Sequence, residues 1–169
     1  DRFYRVLSKR LGKFGLEISV EKTRVMKFSR NDRPGKARFD FLGFEFRWGK
    51  DRSGKPNVKR RTSRKKLRRS LKNFTAWCRK NRHRPLDVLF KNLNAKLRGY
   101  YAYYGVIGNY GSLKEFFREA VRILFKWLNR CSQRRSYNWT GFLELLKLFK
   151  IEKPRIVGRP KARKAALTF

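Results

Sequence analysis

Side chains that could hold a metal or act as nucleophiles are sparse in this chain. Cys78 and Cys131 are isolated cysteines and His83 is the only histidine. A structural zinc site needs about four such ligands, so a zinc finger or an HNH-type nuclease built from this chain is excluded. The acids are scattered, with no turn that pairs two aspartates. What the sequence offers in quantity is phenols and cations. "KLRGYYAYYGVIGNYG", residues 96–111, holds five tyrosines, four glycines and two basic residues. Around it, 47 Lys and Arg face 12 Asp and Glu, a formal net charge of +35. Self-repulsion of that size is tolerable when a polyanion neutralises it. The chemistry on offer is therefore phosphate neutralisation and aromatic stacking.

The polyanion could be a nucleic acid or an acidic membrane surface. No apolar run approaches the ~20 residues of a membrane span, and no signal peptide is recognisable, which favours nucleic acid. With 15% aromatic and 40% hydrophobic residues, the chain should fold rather than remain a disordered basic tail. Because it begins at Asp1 and already reads as a helix in progress, it is expected to be a piece of something longer.

The elements that must position these groups follow from periodicity. Phe3, Leu7, Leu11 and Phe14 make one stripe of a helix over 1–14, stopped by Gly15. "LEISVEKTRVMKFS" reads as a strand, a turn at 21–23 and a second strand. "FDFLGFEFRW" alternates as a strand, with Leu42, Phe44, Phe46 and Trp48 on one face and Phe39 and Phe41 on the other. "DRSGKPN" closes a hairpin, and composition then turns strongly basic, which sets a boundary near residue 60. From Thr62 or Ser63, either of which can cap, a helix is predicted with Leu67, Leu71, Phe74 and Cys78 as its apolar stripe. Cys78 on that stripe reads as a reduced core thiol. Lys65, Arg68, Lys72 and Arg79 fall on a separate stripe, and residues 52–86 contain no acid at all. A core face beside a basic face suits a helix lying along a phosphate backbone, although a merely solvated charged face has the same pattern.

Pro85 opens a further predicted helix, with Leu86, Leu89, Phe90, Leu93, Leu97, Tyr100 and Tyr104 on its core face. Tyr101 and Tyr103 then flank that face, beside Arg98 and the glycine-rich turn at 105–111, where an RNA strand could meet them. Ser112 can cap the next helix, 113–130, whose polar face carries Arg118, Arg122 and Lys126. A basic loop follows ("NRCSQRRSYNW"), then a last helix in "TGFLELLKLFK" and an irregular basic tail from Ile151.

These segments, in this order, resemble the C-terminal half of a group II intron reverse transcriptase, also called a maturase. "GLEISVEKTRVMKF" looks like the palm segment that follows the catalytic aspartates, and "FDFLGFEF" like the strand pair that grips the primer. "LNAKLRGYYAYYG", "FKWLNRCSQRRSYNW" and "KPRIVG" are similar to the maturase-specific X domain. The resemblance implies an α+β fold, mostly α. Residues 1–60 would be the end of a palm with a small antiparallel sheet, 61–84 the start of a helical thumb, and 85–169 the rest of the thumb and the X domain.

The resemblance also implies roles. Phe41, Leu42, Gly43 and Phe44 would form the primer grip. Lys65, Arg68, Lys72, Arg79, Arg98, Tyr101, Tyr103, Arg118, Arg122, Lys126, Arg130, Gln133, Arg134 and Arg135 would contact nucleic acid. Lys22 matches the palm lysine that protonates leaving pyrophosphate as a general acid, or else is an exposed lysine in a tight turn. The implied partners are structured intron RNA and an RNA–DNA primer–template, with no membrane, and a homodimer is allowed for the full-length form. The family polymerase uses Mg²⁺ on a YADD-type aspartate pair, which this sequence lacks, as it lacks the zinc endonuclease of some relatives. By itself the chain is expected to need no cofactor and to be inactive in polymerisation. The implied compartment is the bacterial cytoplasm or an organelle. The rival reading is a non-enzymatic basic RNA-binding protein: a free-standing maturase fragment, or an RNA-packaging or ribosome-associated protein.

Overall fold

The computed structural model describes residues 2–21, 23, 25–29, 38–130 and 137–157. In chain order it forms α1 (Arg2–Gly12), β1 (Arg38–Phe41), β2 (Phe44–Lys50), β3 (Pro56–Thr62), α2 (Arg64–Asn81), α3 (Leu86–Tyr104), α4 (Tyr110–Leu128) and α5 (Trp139–Leu148). The fold is α+β and mostly α. Among the described residues no helix is long and apolar enough to cross a membrane.

"FDFLGFEF" is not one strand but a hairpin. Leu42 and Gly43 both have positive φ, 48° and 82°, as a two-residue turn of the I′ kind requires. That turn resets the alternation. Phe39 pairs with Phe46 and Phe41 with Phe44, so Phe39, Phe41, Phe44, Phe46 and Trp48 all share one face, and only that face needs apolar cover. Phe28 covers one end of it, with ring centroids 5.0 Å from Phe39 and 5.3 Å from Trp48. On the opposite face the buried Glu45 carboxylate is held by Arg61 at 2.8 Å. At the far end of β2, Asp51 Oδ1 accepts from the Ser53 and Lys55 amides, and Gly54 supplies the left-handed residue of the turn into β3. The expected boundary near residue 60 therefore falls inside β3, just before the strand ends at Thr62.

The two strands expected in "LEISVEKTRVMKFS" are absent among its described residues, which are irregular. The turn is present: the Thr23 amide and hydroxyl both donate to the Ser19 carbonyl. A strand needs a pairing neighbour as well as alternation, and the sheet has three members, in the order β1–β2–β3. α1 ends at Gly12, short of the expected stop at Gly15, so Phe14 lies beyond the helix, and both Phe3 and Phe14 stay exposed.

The core is helical. Leu67, Phe74 and Cys78 from α2 meet Leu89, Phe90, Leu93, Leu97 and Tyr101 from α3, the broad face of α4, and Phe142 and Leu146 from α5. Burial pushes the Cys78 thiol up to about 12, so it sits there as a neutral apolar group. Ser63 caps α2, its hydroxyl accepting from the Lys66 amide. Ser112 does not cap α4, which starts earlier, from Asn109. Residues 151–157 are irregular as expected, but they do not leave the body. They fold back along α3, with the Glu152 amide donating to Asn94 Oδ1 (2.9 Å) and the Val157 amide to the Gly105 carbonyl (2.7 Å). A Cβ on Gly105 would press on the Tyr101 and Arg155 carbonyls, so the close approach needs glycine.

Candidate nucleic-acid interface

Lys65, Arg68, Lys72 and Arg79 are all exposed, on the side of α2 away from its buried Leu67, Phe74 and Cys78. Eighteen residues at the helical rise make the row part of a ridge about 27 Å long. Beside it runs α4. Residues 61–71 share one cleft with Ser112 and Glu115, and residues 72–80 share a second with Trp127. The two helices therefore run in the same direction, with a groove between them whose α2 wall carries cations along its length and no acid.

The Leu42 and Gly43 turn abuts the start of this ridge. The Gly43 carbonyl accepts from the Ser63 amide at 2.9 Å, and a Cβ on Gly43 would lie 3.6 Å from Lys66 Cγ and 3.3 Å from the Tyr104 hydroxyl. The turn is nevertheless open to solvent, with Phe41 58% and Leu42 68% exposed. Leu42 is the wrong residue for its backbone, because a left-handed conformation costs a side chain roughly 1–2 kcal/mol. Strain held at an exposed apolar tip points to a use for that side chain. Leu42→Asn, which tolerates the left-handed region, should raise thermal stability by up to about 1 kcal/mol and weaken nucleic-acid binding. A lower melting temperature would mean that Leu42 packs rather than strains.

The tyrosine cluster is the brace for this tip. Tyr103, 54% exposed, donates its hydroxyl to the Leu42 carbonyl at 2.9 Å and stacks on Phe44, and Tyr104 meets Phe44 edge-on. Tyr100 stacks on Phe116 at 3.8 Å, and its buried hydroxyl, near Thr62, lacks a hydrogen bond of good geometry. Burial drives the phenols of Tyr100, Tyr101 and Tyr104 upward, so all three stay neutral. Asn109 was not singled out in the sequence, where it reads as one more turn residue. It is buried, accepts from the Thr62 amide at 2.7 Å, and donates to the Thr62 hydroxyl and the Tyr104 carbonyl. Arg60 Nε adds a bond to the Ile107 carbonyl. The glycine-rich turn thus ties β3 to α3 and α4.

One expected contact needs correction. Tyr101 is 0% exposed and donates its hydroxyl to the Glu152 carbonyl, so no RNA base can reach it. Arg98 pairs with Glu152 at 3.1 Å, and its side chain stays 49% exposed. Arg118 and Arg122 are exposed on α4 and both pair with Glu119, while Lys126 and Arg130 are exposed near its end. Lys22, Gln133, Arg134 and Arg135 lie outside the described residues. Among the described residues no three His, Cys, Asp or Glu side chains converge as metal ligands. The Mg²⁺ of the polymerase reading finds no fitting ligand set there.

No protein-family model matches this chain, and no curated protein or solved structure matches it either. The functional reading therefore stands on the interface and on the order of the sequence segments.

Proposed function

We propose that this chain is the RNA-gripping part of a group II intron reverse transcriptase, or maturase: the end of the palm, the thumb and the X domain. One observation carries the reading. An acid-free, exposed row of cations on α2 begins directly against a strained, exposed hairpin tip. On this reading Lys65, Arg68, Lys72 and Arg79 neutralise successive phosphates of structured intron RNA, and Phe41 and Leu42 at the tip meet the primer end of a primer–template duplex. The mechanism is electrostatic and geometric. Phosphate contacts set register and orientation, and shape selects the RNA, with no bond made or broken by these residues. Such a protein would work where its intron is transcribed, in a bacterial cytoplasm or an organelle.

The test is competition between a group II intron RNA and an unrelated structured RNA of equal length. The intron RNA should win by about tenfold or more, or at least 1.4 kcal/mol. Equal affinity would reduce the chain to a general basic RNA binder.

A further inference from the structure

We propose that the cleft between the C-terminal halves of α2 and α4 takes one unpaired nucleotide of the bound RNA. The proposal rests on the reading that RNA lies along α2, and adds to it a place where a base leaves the helix. The cleft measures about 530 Å³ and is lined by Lys72, Thr75, Ala76, Arg79, Lys80 and Trp127. That volume lies within the ~300–1,000 Å³ typical of small-ligand sites. Its floor holds the apolar part of the lining, Ala76 and the Trp127 indole. Its rim is cationic. Lys72 and Arg79 belong to the exposed row already described, and Lys80 adds a third positive charge that the row itself does not include.

The indole is held in place. The Arg82 and Arg130 guanidinium groups lie over the Trp127 ring, 5.3 Å and 5.5 Å from its centroid, and Arg82 Nη1 donates to the Arg130 carbonyl at 3.1 Å. A fixed ring among cations suits a planar π-face joined to a phosphate. The companion cleft at the other end of the groove contains Glu115, which repels phosphate, whereas no acid lines the Trp127 cleft among the described residues. The Thr75 hydroxyl already donates to the Leu71 carbonyl at 2.8 Å. The lining thus favours stacking and charge over reading a base edge, so any of the four bases should fit. Only a base outside a duplex can present its face in this way.

Two RNA hairpins with equal numbers of phosphates test the proposal on the full chain, one fully paired and one with a single bulged nucleotide. The bulged hairpin should bind about tenfold tighter, the size of one stacked base. Ala76→Leu, which fills the floor, should abolish that preference and leave affinity for the paired hairpin unchanged. With 5-iodouridine at the bulge, ultraviolet crosslinking of the unsubstituted protein should map to Trp127, a readout that needs no variant to fold. Equal, salt-dependent binding of both hairpins would overturn the cleft and leave the α2 reading standing. A bulge preference that survives Ala76→Leu, or a crosslink mapping elsewhere, would also overturn the cleft. Binding to neither hairpin would overturn both readings.

Discussion

Tyr101→Ala should cost about 3–5 kcal/mol, the range for removing a fully buried aromatic side chain. The ring has no exposed surface, and its hydroxyl fastens residues 151–157 to α3 through the Glu152 carbonyl. For a chain of this size the loss corresponds to a fall of roughly 6–20 °C in melting temperature. Tyr101→Phe should keep the packing and lose one hydrogen bond, about 0.5–1.5 kcal/mol. Tyr103→Ala provides the contrast, because that ring is half out in solvent and its loss should cost only about 1 kcal/mol. Thermal unfolding of the three variants checks the order. If Tyr101→Ala melts with the unsubstituted protein, the returning segment does not cover α3.

Helical spacing alone does not show that Tyr101 is the fully buried ring of the cluster. From Leu97, the next core position is three or four residues on, at Tyr100 or Tyr101, and periodicity cannot choose between them. The choice is made by residues 151–157, which close over Tyr101 from more than fifty positions away. No local pattern announces them, since the segment is irregular and rich in charge. For α2 the spacing sufficed. Leu67, Phe74 and Cys78 are buried and the cation row is exposed, because both stripes answer to one helix and one neighbouring core.

Within residues 38–62 the strand reading failed at a single point. Alternation read through Leu42 and Gly43 places Phe39 opposite Phe46, when the two rings stack at 5.2 Å. Glycine was the available signal for a turn, but leucine beside it masked the pattern, since Asn-Gly is the usual pair there. Leucine at that position is out of keeping with the backbone, and such local misfits gather where function overrides foldability. Nothing in the sequence marks Trp127 and Ala76 as a pair. Their meeting across a cleft depends on α2 and α4 running side by side, which neither helix encodes alone.

The second large effect is electrostatic. Reversing Lys65, Arg68 and Lys72 to Glu should remove three phosphate contacts from the N-terminal half of α2 and add repulsion in their place. Stability should hardly change, because all three side chains are exposed and the apolar stripe lies on the other side of α2. RNA affinity should fall steeply at low salt. A second triple variant, reversing Lys9, Arg10 and Lys13 on and beside α1, carries the same change in net charge on residues that do not line the groove. It separates a local contact from the general attraction of a +35 protein for any polyanion.

The salt dependence of RNA affinity in these three proteins tests the α2 groove most directly. On a log–log plot each phosphate contact to a duplex contributes a slope of about −0.9. The unsubstituted protein should be steep, the α2 variant shallower by at least about 2.7, and the α1 variant parallel to the unsubstituted protein. Equal slopes for the α2 variant and the unsubstituted protein would contradict the account, leaving the row on α2 as a solvated face that touches no RNA.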